Sequence, residues 1–285
     1  MQIKQILAIG VAIISTVSQP SFAAEITHRG VFALPGMNEK VTGELIARET
    51  GLLTRELLIS FTDKATGRLI TDYEEELTQE LHVLATDSNF SSFIHEHVGK
   101  NGPDGRFSVT MHFPKAGTYY VYADVMPKGL GQQVIRFEVA VDVAVDSAVR
   151  ERAVDDIKTG FDGPYSVELD ASSLRVGIES MMTLMVLKDG KLAMDLGLYL
   201  GVPAHAVFVN TDDLDYVHAH AMAMDAPKGS HSSHGPHDYS KSTIPAKLML
   251  HATPPRAGQY ALWIQFKGDG QVRTVPFVIT VPAAQ

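Results

Sequence analysis

The sequence predicts an all-β protein with two tandem antiparallel β-sandwich domains behind a signal peptide. Three observations support this: an apolar N-terminal segment, an internal repeat, and short runs of β-branched and aromatic residues separated by turn residues. The chain has 285 residues, 45% of them hydrophobic, which is enough for a substantial core. It contains no cysteine, which excludes disulfide bonds, thiolate metal sites and a cysteine nucleophile.

The charge composition and the absence of common catalytic motifs limit the classes of function that we expect. Lysine and arginine number 24 against 33 for aspartate and glutamate, and the net charge of -9 disfavours nucleic acid as a partner. The G-x-S-x-G, H-E-x-x-H and phosphate-loop motifs of common enzymes are also missing from the sequence, so we expect no catalysis. The unusual feature of the composition is its twelve histidines.

The first 23 residues have the features of a secretory signal peptide. Lys4 provides the charged start, and residues 6–17 form an apolar run that is too short to span a bilayer comfortably. Ala23 ends a small-residue cleavage site. The alternative is an uncleaved membrane anchor. No later apolar run approaches a membrane span in length, so after cleavage we expect a periplasmic or secreted protein with no membrane span.

The rest of the chain repeats itself. At an offset of 123 residues, Gly67-Arg68-Leu69 aligns with Gly190-Lys191-Leu192, and three histidines align with three others. Downstream, residues 114–119 align with residues 255–260 at an offset of 141. The difference, 141 - 123 = 18 residues, is an insertion in the second copy, which we place at 225–242 in a stretch rich in glycine, serine, proline and histidine.

Each copy contains strand-like runs at the spacing of an antiparallel sandwich. We expect domains at 25–145 and 163–285, joined by a charged linker at 146–162 in which residues 148–157 can form a short helix. The predicted strands are 57–62, 77–86 with 93–98 beside it, 107–113, 119–125 and 134–143 in the first domain, and 166–169, 181–187, 206–210, 216–224, 246–252, 260–266 and 272–281 in the second.

The strongest functional motif is H-x12-H-x-H, which occurs once in each copy. Residues two apart on a strand share a face, so the paired histidines of each motif point the same way, and the third lies on the neighbouring predicted strand. Three converging imidazoles without a thiolate suit Cu(II) or Zn(II). The alternative is that the histidines are polar members of a β-face bonded to backbone carbonyls. The six residues are His82, His95 and His97, and His205, His218 and His220.

Four further residues are candidate ligands. Met222 and Met224 follow the second motif on the same predicted face, and their thioether sulfurs favour copper because sulfur is a good Cu(I) ligand. The alternative is that they fill gaps in the core. His112 and His251 lie opposite the core-facing residues of their strands, where each would complete a site or remain exposed. In the insertion, His231, His234 and His237 form either a metal-collecting tract or a plain loop.

The second copy also resembles a known family. The stretches Tyr199 to Val207, Asp215 to His220 and Pro255 to Phe266 resemble exported bacterial immunoglobulin-like domains of the YtkA-like kind, which often accompany heavy-metal or copper-handling genes. The resemblance implies periplasmic, immunoglobulin-like sandwiches. The family usually has proline after its H-x-H motif, whereas this chain has Val98 and Ala221, so we expect strands that continue further.

These observations predict a non-catalytic periplasmic protein that binds or buffers copper, with zinc as the alternative metal. Its partners would be the metal ion and an envelope metal-handling protein. The competing hypothesis is an envelope interaction module with structural histidines. We expect the second copy to hold the tighter site, and we expect affinity to fall below about pH 6.5, where imidazole becomes protonated.

Overall fold

A computed structural model describes residues 25–142, 156–224 and 244–283. The prediction of an all-β protein is confirmed: the described residues contain 63% strand and no helix. They therefore contain no helix long and apolar enough to cross a membrane. The predicted insertion at 225–242 lies outside the described residues, as do the signal peptide and all but the last two residues of the possible helix at 148–157.

The first domain is a sandwich of two antiparallel sheets. One sheet has the order β1-β3-β4-β8, and the other has the order β2-β10-β9-β6-β7 with β5 also paired to β9. Apolar residues alternate along β3, β4 and β8 and meet those of the second sheet in one core. The strands are β1 (Glu25–Arg29), β2 (Val31–Phe32), β3 (Val41–Gly51), β4 (Thr54–Asp63), β5 (Tyr73–Glu74), β6 (Leu81–Asp87), β7 (Phe93–Val98), β8 (Phe107–His112), β9 (Gly117–Pro127) and β10 (Gln133–Val141).

The second domain repeats this arrangement with its strands joined into one ten-stranded sheet. The order is β11-β12-β13-β18-β17-β16-β19-β15, with β14 paired to β13 and β20 to β19. The strands are β11 (Thr159–Asp162), β12 (Tyr165–Asp170), β13 (Ser180–Lys188), β14 (Lys191–Leu192), β15 (Leu196–Gly197), β16 (Ala204–Asn210), β17 (Tyr216–Ala223), β18 (Lys247–Ala252), β19 (Gly258–Gly268) and β20 (Gln271–Val281).

Strand β17 is what joins the two halves of that sheet. Its last three residues, Ala221 to Ala223, pair with β18, whereas β7 in the first domain ends at Val98 and does not pair with β8. The expected continuation of the strand beyond the H-x-H motif is thus confirmed in the second domain and not in the first.

Two parts of the predicted organisation differ from the structure. The described chain begins with strands that were not predicted, β1 to β3, and β3 pairs with both β1 and β4. The predicted linker at 146–162 also ends in a strand, because Thr159–Asp162 forms β11 and pairs with β12. The second domain therefore begins before residue 163.

The two domains pack against each other through a third apolar cluster. Phe93 of the first domain stacks on Trp263 of the second, with ring centroids 4.8 Å apart, and Tyr122 stacks on Tyr216 at 5.2 Å. The Tyr122 hydroxyl also donates a hydrogen bond to the carbonyl of Leu214, at 3.1 Å. All residues of β6 and of β16 are buried, because one face of each strand meets its own core and the other meets the opposite domain.

Candidate metal centre

The first histidine triad is built by the pairing of β6 and β7. His82 lies directly opposite His97 in the register, and His95 is on the same face as His97 because it is two residues away. The ring centroids of the triad are 4.2 to 5.8 Å apart. One ring nitrogen from each histidine lies within 4.8 Å of the others. The expected pairing of these two strands is confirmed.

The second triad has the same construction on β16 and β17. His205 lies opposite His220, and His218 shares the face of His220. The ring centroids are 4.6 to 5.6 Å apart, and again one nitrogen from each ring lies within 4.8 Å of the others. The structure thus brings together the three histidines of each predicted motif.

The two triads also face each other across the contact between the domains. The ring of His218 is 5.6 Å from that of His82 and 5.9 Å from that of His95, and His95 lies 5.8 Å from His205. These separations are about the same as those within a triad. We expected one independent site in each domain, whereas the structure shows a single cluster of six histidines.

Backbone carbonyls orient one histidine in each triad. His82 Nε2 lies 3.0 Å from the carbonyl oxygen of Glu76, and His205 Nε2 lies 3.0 Å from that of Tyr199. A carbonyl only accepts hydrogen bonds, so Nε2 carries the proton and Nδ1 carries the lone pair. Metal-binding histidines are commonly held in this way, with one ring nitrogen donating to a fixed acceptor.

Each domain also supplies a polar side chain to a histidine of the other domain. Gln265 Oε1 lies 2.8 Å from His95 Nδ1, while the Gln265 amide nitrogen donates to Thr274 Oγ1 at 2.9 Å and so fixes the orientation of the amide. Asp124 Oδ2 lies 3.4 Å from His218 Nδ1, which is long for a hydrogen bond, so the carboxylate acts on the neutral ring through its charge. Asp124 and Gln265 occupy equivalent positions in the two copies, since 265 - 124 = 141.

Three ring nitrogens of the first triad are buried without a hydrogen-bond partner among the described residues. They are Nδ1 of His82, Nε2 of His95 and Nε2 of His97. In His82 and His95 this is the nitrogen left over after the other one donates to an acceptor. A buried polar atom without a partner costs about 1–3 kcal/mol, and a ligand shared by the three nitrogens would offset this cost. The alternative, histidines bonded to backbone carbonyls, accounts for only one nitrogen in each of His82 and His205.

The cluster is electrostatically suited to hold neutral imidazole. Burial lowers the pKa values of His95, His205 and His218 well below their ordinary value, and the neighbouring imidazoles lower them further. Burial also lowers the pKa of His97 to about 3, with a contribution from His82. Neutral imidazole is the form that binds metal, and here it persists to a more acidic pH than the 6.5 expected from the sequence.

The two methionines differ in their position relative to the second triad. Met222 shares the histidine face of β17. It lies in the last part of that strand, which pairs with β18, and it is opposite Met249. Met224 is 48% exposed and borders a surface pocket with Met185 and Lys247.

Among the described residues, neither of the two additional histidines belongs to the two groups of converging histidines. His112 is exposed on β8, in the other sheet of the first domain, and its Nδ1 is 3.1 Å from Thr54 Oγ1. His251 is on β18, and its Nδ1 is 3.4 Å from a carboxylate oxygen of Glu179. The loop histidines at 231, 234 and 237 lie outside the described residues.

Sequence reasoning missed Asp124 and Gln265, although it contained a signal for both. Each is a polar residue near the end of a predicted, largely apolar strand, at 119–125 or 260–266. A polar residue in a buried strand needs a partner. The offset of 141 relates the two positions, so the repeat that revealed the histidines also relates their supporting residues.

Comparisons with known proteins add a family without a described activity. A search of curated proteins found no match. The resemblance to YtkA-like domains stays a prediction, because no comparison tests it. The sequence pattern of a family described as a domain of unknown function (DUF8832) matches the chain twice, at residues 37–144 and 158–283. The two matches cover most of both domains, and the chain therefore belongs to the DUF8832 family.

Proposed function

We propose that this is an exported metal-binding protein that holds copper in its two histidine triads and buffers it without catalysis. The observation that carries the proposal is the set of three buried nitrogens on His82, His95 and His97 that have no hydrogen-bond partner among the described residues. An imidazole nitrogen binds copper or zinc at about 2.0–2.1 Å, which puts the nitrogens of a tetrahedral site roughly 3.4 Å apart. Nitrogens within 4.8 Å of one another need only a small contraction.

Copper is favoured over zinc by the affinity order of divalent metals. A site of fixed nitrogen ligands binds Cu(II) more tightly than Zn(II). The thioether argument for copper now rests on Met222, which shares the histidine face of β17, because Met224 is 48% exposed. Zinc stays the alternative, since three imidazoles are also a common zinc ligand set.

Buffering is favoured over catalysis by the burial of the cluster. The side chains of His218 and Asp124 are each 1% exposed, and His82 and His205 are equally buried. A catalytic metal must meet its substrate, whereas a stored ion only has to exchange with a carrier. The predicted signal peptide supports a periplasmic or secreted location, and an envelope metal-handling protein is the partner that this role requires.

The test is a metal count on the purified mature chain after dialysis against Cu(II) or Zn(II). We expect about two ions per chain. His95→Ala with His97→Ala removes one ion, as does His218→Ala with His220→Ala. The matched control is His112→Ala with His251→Ala, which replaces two histidines outside the cluster and leaves the count unchanged.

The loop needs its own control, because its histidines at 231, 234 and 237 are also potential copper ligands. A variant with alanine at 231, 234 and 237 keeps two tightly held ions if the triads are the sites. A wild-type chain that retains no metal would contradict the proposal and favour the envelope interaction module, in which the buried histidines only help to join the two domains.

A further inference from the structure

The six histidines are arranged with an approximate two-fold relation between the domains. His82 corresponds to His205, His95 to His218 and His97 to His220, and the ring stack of Phe93 on Trp263 corresponds to that of Tyr216 on Tyr122. Each domain therefore uses the same patch of its surface to meet the other. The rings of the two triads come within 5.6–5.9 Å of each other in the middle of this contact.

We propose that the two triads form one dinuclear centre, in which the two metal ions lie close enough to interact. The proposal rests on the function proposed above. An ion bound at about 2.0–2.1 Å from its ring nitrogens stays beside its own triad. Because His218 is no farther from His82 than His82 is from His95, the second ion has to lie within a few ångströms of the first. Protein two-metal sites typically have separations of about 3.5–4 Å.

Charge makes the two positions unequal. Six imidazoles are neutral ligands and cancel no charge, so two divalent ions held in the same buried cluster repel each other. Asp124 is a buried carboxylate within 3.4 Å of His218, whereas the equivalent position beside His95 holds the uncharged amide of Gln265. The second triad therefore fills first, and the first triad takes its ion more weakly against the charge already present.

Electron paramagnetic resonance during a Cu(II) titration tests this centre. The chain is the mature protein with alanine at 231, 234 and 237, so that the loop contributes no copper signal. The first equivalent gives the ordinary spectrum of an isolated Cu(II) ion. The second equivalent broadens that spectrum and adds a half-field transition, because two unpaired electrons only a few ångströms apart are coupled. We expect the two dissociation constants to differ by at least tenfold.

Variants that alter one triad at a time test the contribution of each ion to the coupled spectrum. His82→Ala with His97→Ala leaves one Cu(II) with an isolated spectrum and no half-field transition, as does His205→Ala with His220→Ala. His112→Ala with His251→Ala keeps the coupled spectrum. Circular dichroism verifies that each variant folds. The titration of the parent chain, in which all six histidines of the cluster are intact, tests the proposal even if a triad variant does not fold.

Three outcomes overturn the dinuclear centre. Two bound ions with two independent isolated spectra place the ions far apart. A single bound ion that is lost when either triad is altered indicates one site shared by both domains. In both cases metal binding itself survives, and only the dinuclear arrangement is refuted. No bound copper at all refutes the proposed function together with this inference.

Discussion

At the scale of single residues, the centre depends on the atoms that orient its imidazoles. The carbonyls of Glu76 and Tyr199 are equivalent in the two domains and treat their histidines alike. Asp124 and Gln265 are equivalent in position but differ in charge. A carboxylate behind an imidazole raises the basicity of the ring and strengthens its bond to a metal, which an amide does less well. This pair offers a direct test of which triad binds more tightly.

We expect Asp124→Asn to weaken the tighter copper site about tenfold, at the lower end of the roughly 10–100-fold effect of such supporting residues. The substitution keeps the size of the side chain and removes its charge beside His218. Isothermal titration with Cu(II) measures the change. The reciprocal variant, Gln265→Glu, should strengthen the weaker site. Unchanged affinities in both variants would show that these residues only fill space.

The buried histidines should also make the metal-free fold sensitive to acid. The folded pKa of His97 is about 3, and those of His95, His205 and His218 are also lowered by burial. In the unfolded chain these rings take up protons below about pH 6.5, so acid favours unfolding. The free energy of unfolding should be fully present above pH 6.5 and should fall with decreasing pH, by about 1.4 kcal/mol per pH unit for each histidine that stays neutral.

Urea denaturation at pH 7.5 and pH 5.5, without metal, measures this loss of stability. His97→Gln should reduce the difference between the two conditions, whereas His112→Gln, at an exposed position, should not. A stability that is unchanged or higher at pH 5.5 would contradict the burial of neutral imidazoles in the folded protein.

At the scale of strands, the alternation of apolar residues predicted most of the sheet and missed particular strands for identifiable reasons. In β3 the alternation runs through Val41, Leu45 and Ala47 but is interrupted by Gly43. A Cβ atom at Gly43 would lie 2.8 Å from Ile135 Cγ2, so glycine is required where the opposite sheet comes close. Strand β11 has only 4 residues and follows a charged segment, so it is too short to show a clear alternation of apolar residues.

The packing of β11 gives a test of its place in the fold. Gly160 is buried, and a Cβ atom there would lie 2.4 Å from Val275 Cγ1 and 2.7 Å from the carbonyl oxygen of Pro276. We expect Gly160→Ala to lower the free energy of unfolding by about 1–3 kcal/mol, the usual cost of overpacking. Thermal or urea denaturation measures it.

The control for this substitution is Gly197→Ala on β15. Its added methyl group would make ordinary contact with the flexible side chain of Lys267, 3.5 Å away, so the stability should change by less than about 0.5 kcal/mol. If Gly160→Ala were equally harmless, β11 would not be packed against β20, and residues 159–162 would belong to the linker as the sequence suggested.

At the scale of the whole molecule, the sequence identified both triads but did not show that they face each other across the contact between the domains. Repeats and alternation show which residues share a face of a strand, and they do not show which faces of two domains meet. One signal was available: β6 and β16 each contain a continuous apolar run, at 83–85 and 206–209, which is typical of strands covered on both sides. His82 and His205 lie within those strands, so the same observation predicts that both histidines are covered by another part of the protein.

The contact between the domains can be tested through the single tryptophan of the chain. Trp263 is 3% exposed and stacks on Phe93 of the other domain. Phe93→Ala should shift the emission of Trp263 to longer wavelength and lower the stability by about 2–3 kcal/mol, somewhat less than a fully buried phenylalanine costs. Urea unfolding followed by fluorescence and circular dichroism measures both effects.

Phe161→Ala is the control, because Phe161 is 68% exposed on β11 and does not belong to the apolar cluster between the domains. In the parent chain the fluorescence and dichroism transitions should coincide, since the shared apolar cluster couples the two domains. An unshifted emission in Phe93→Ala would mean that the domains do not meet as described.

The matching patches of the two domains also bear on how such a chain arises. A single domain carrying one triad would present a self-complementary surface, and two copies would associate about a two-fold axis with all six histidines at the centre. Such a homodimer must place the same side chain at both supporting positions. Two copies in one chain are free of that restriction, and here the two supporting positions differ, with Asp124 in one half and Gln265 in the other. The proposed difference in affinity between the two ions is therefore possible in a chain with two copies, whereas a symmetric homodimer would bind both ions alike.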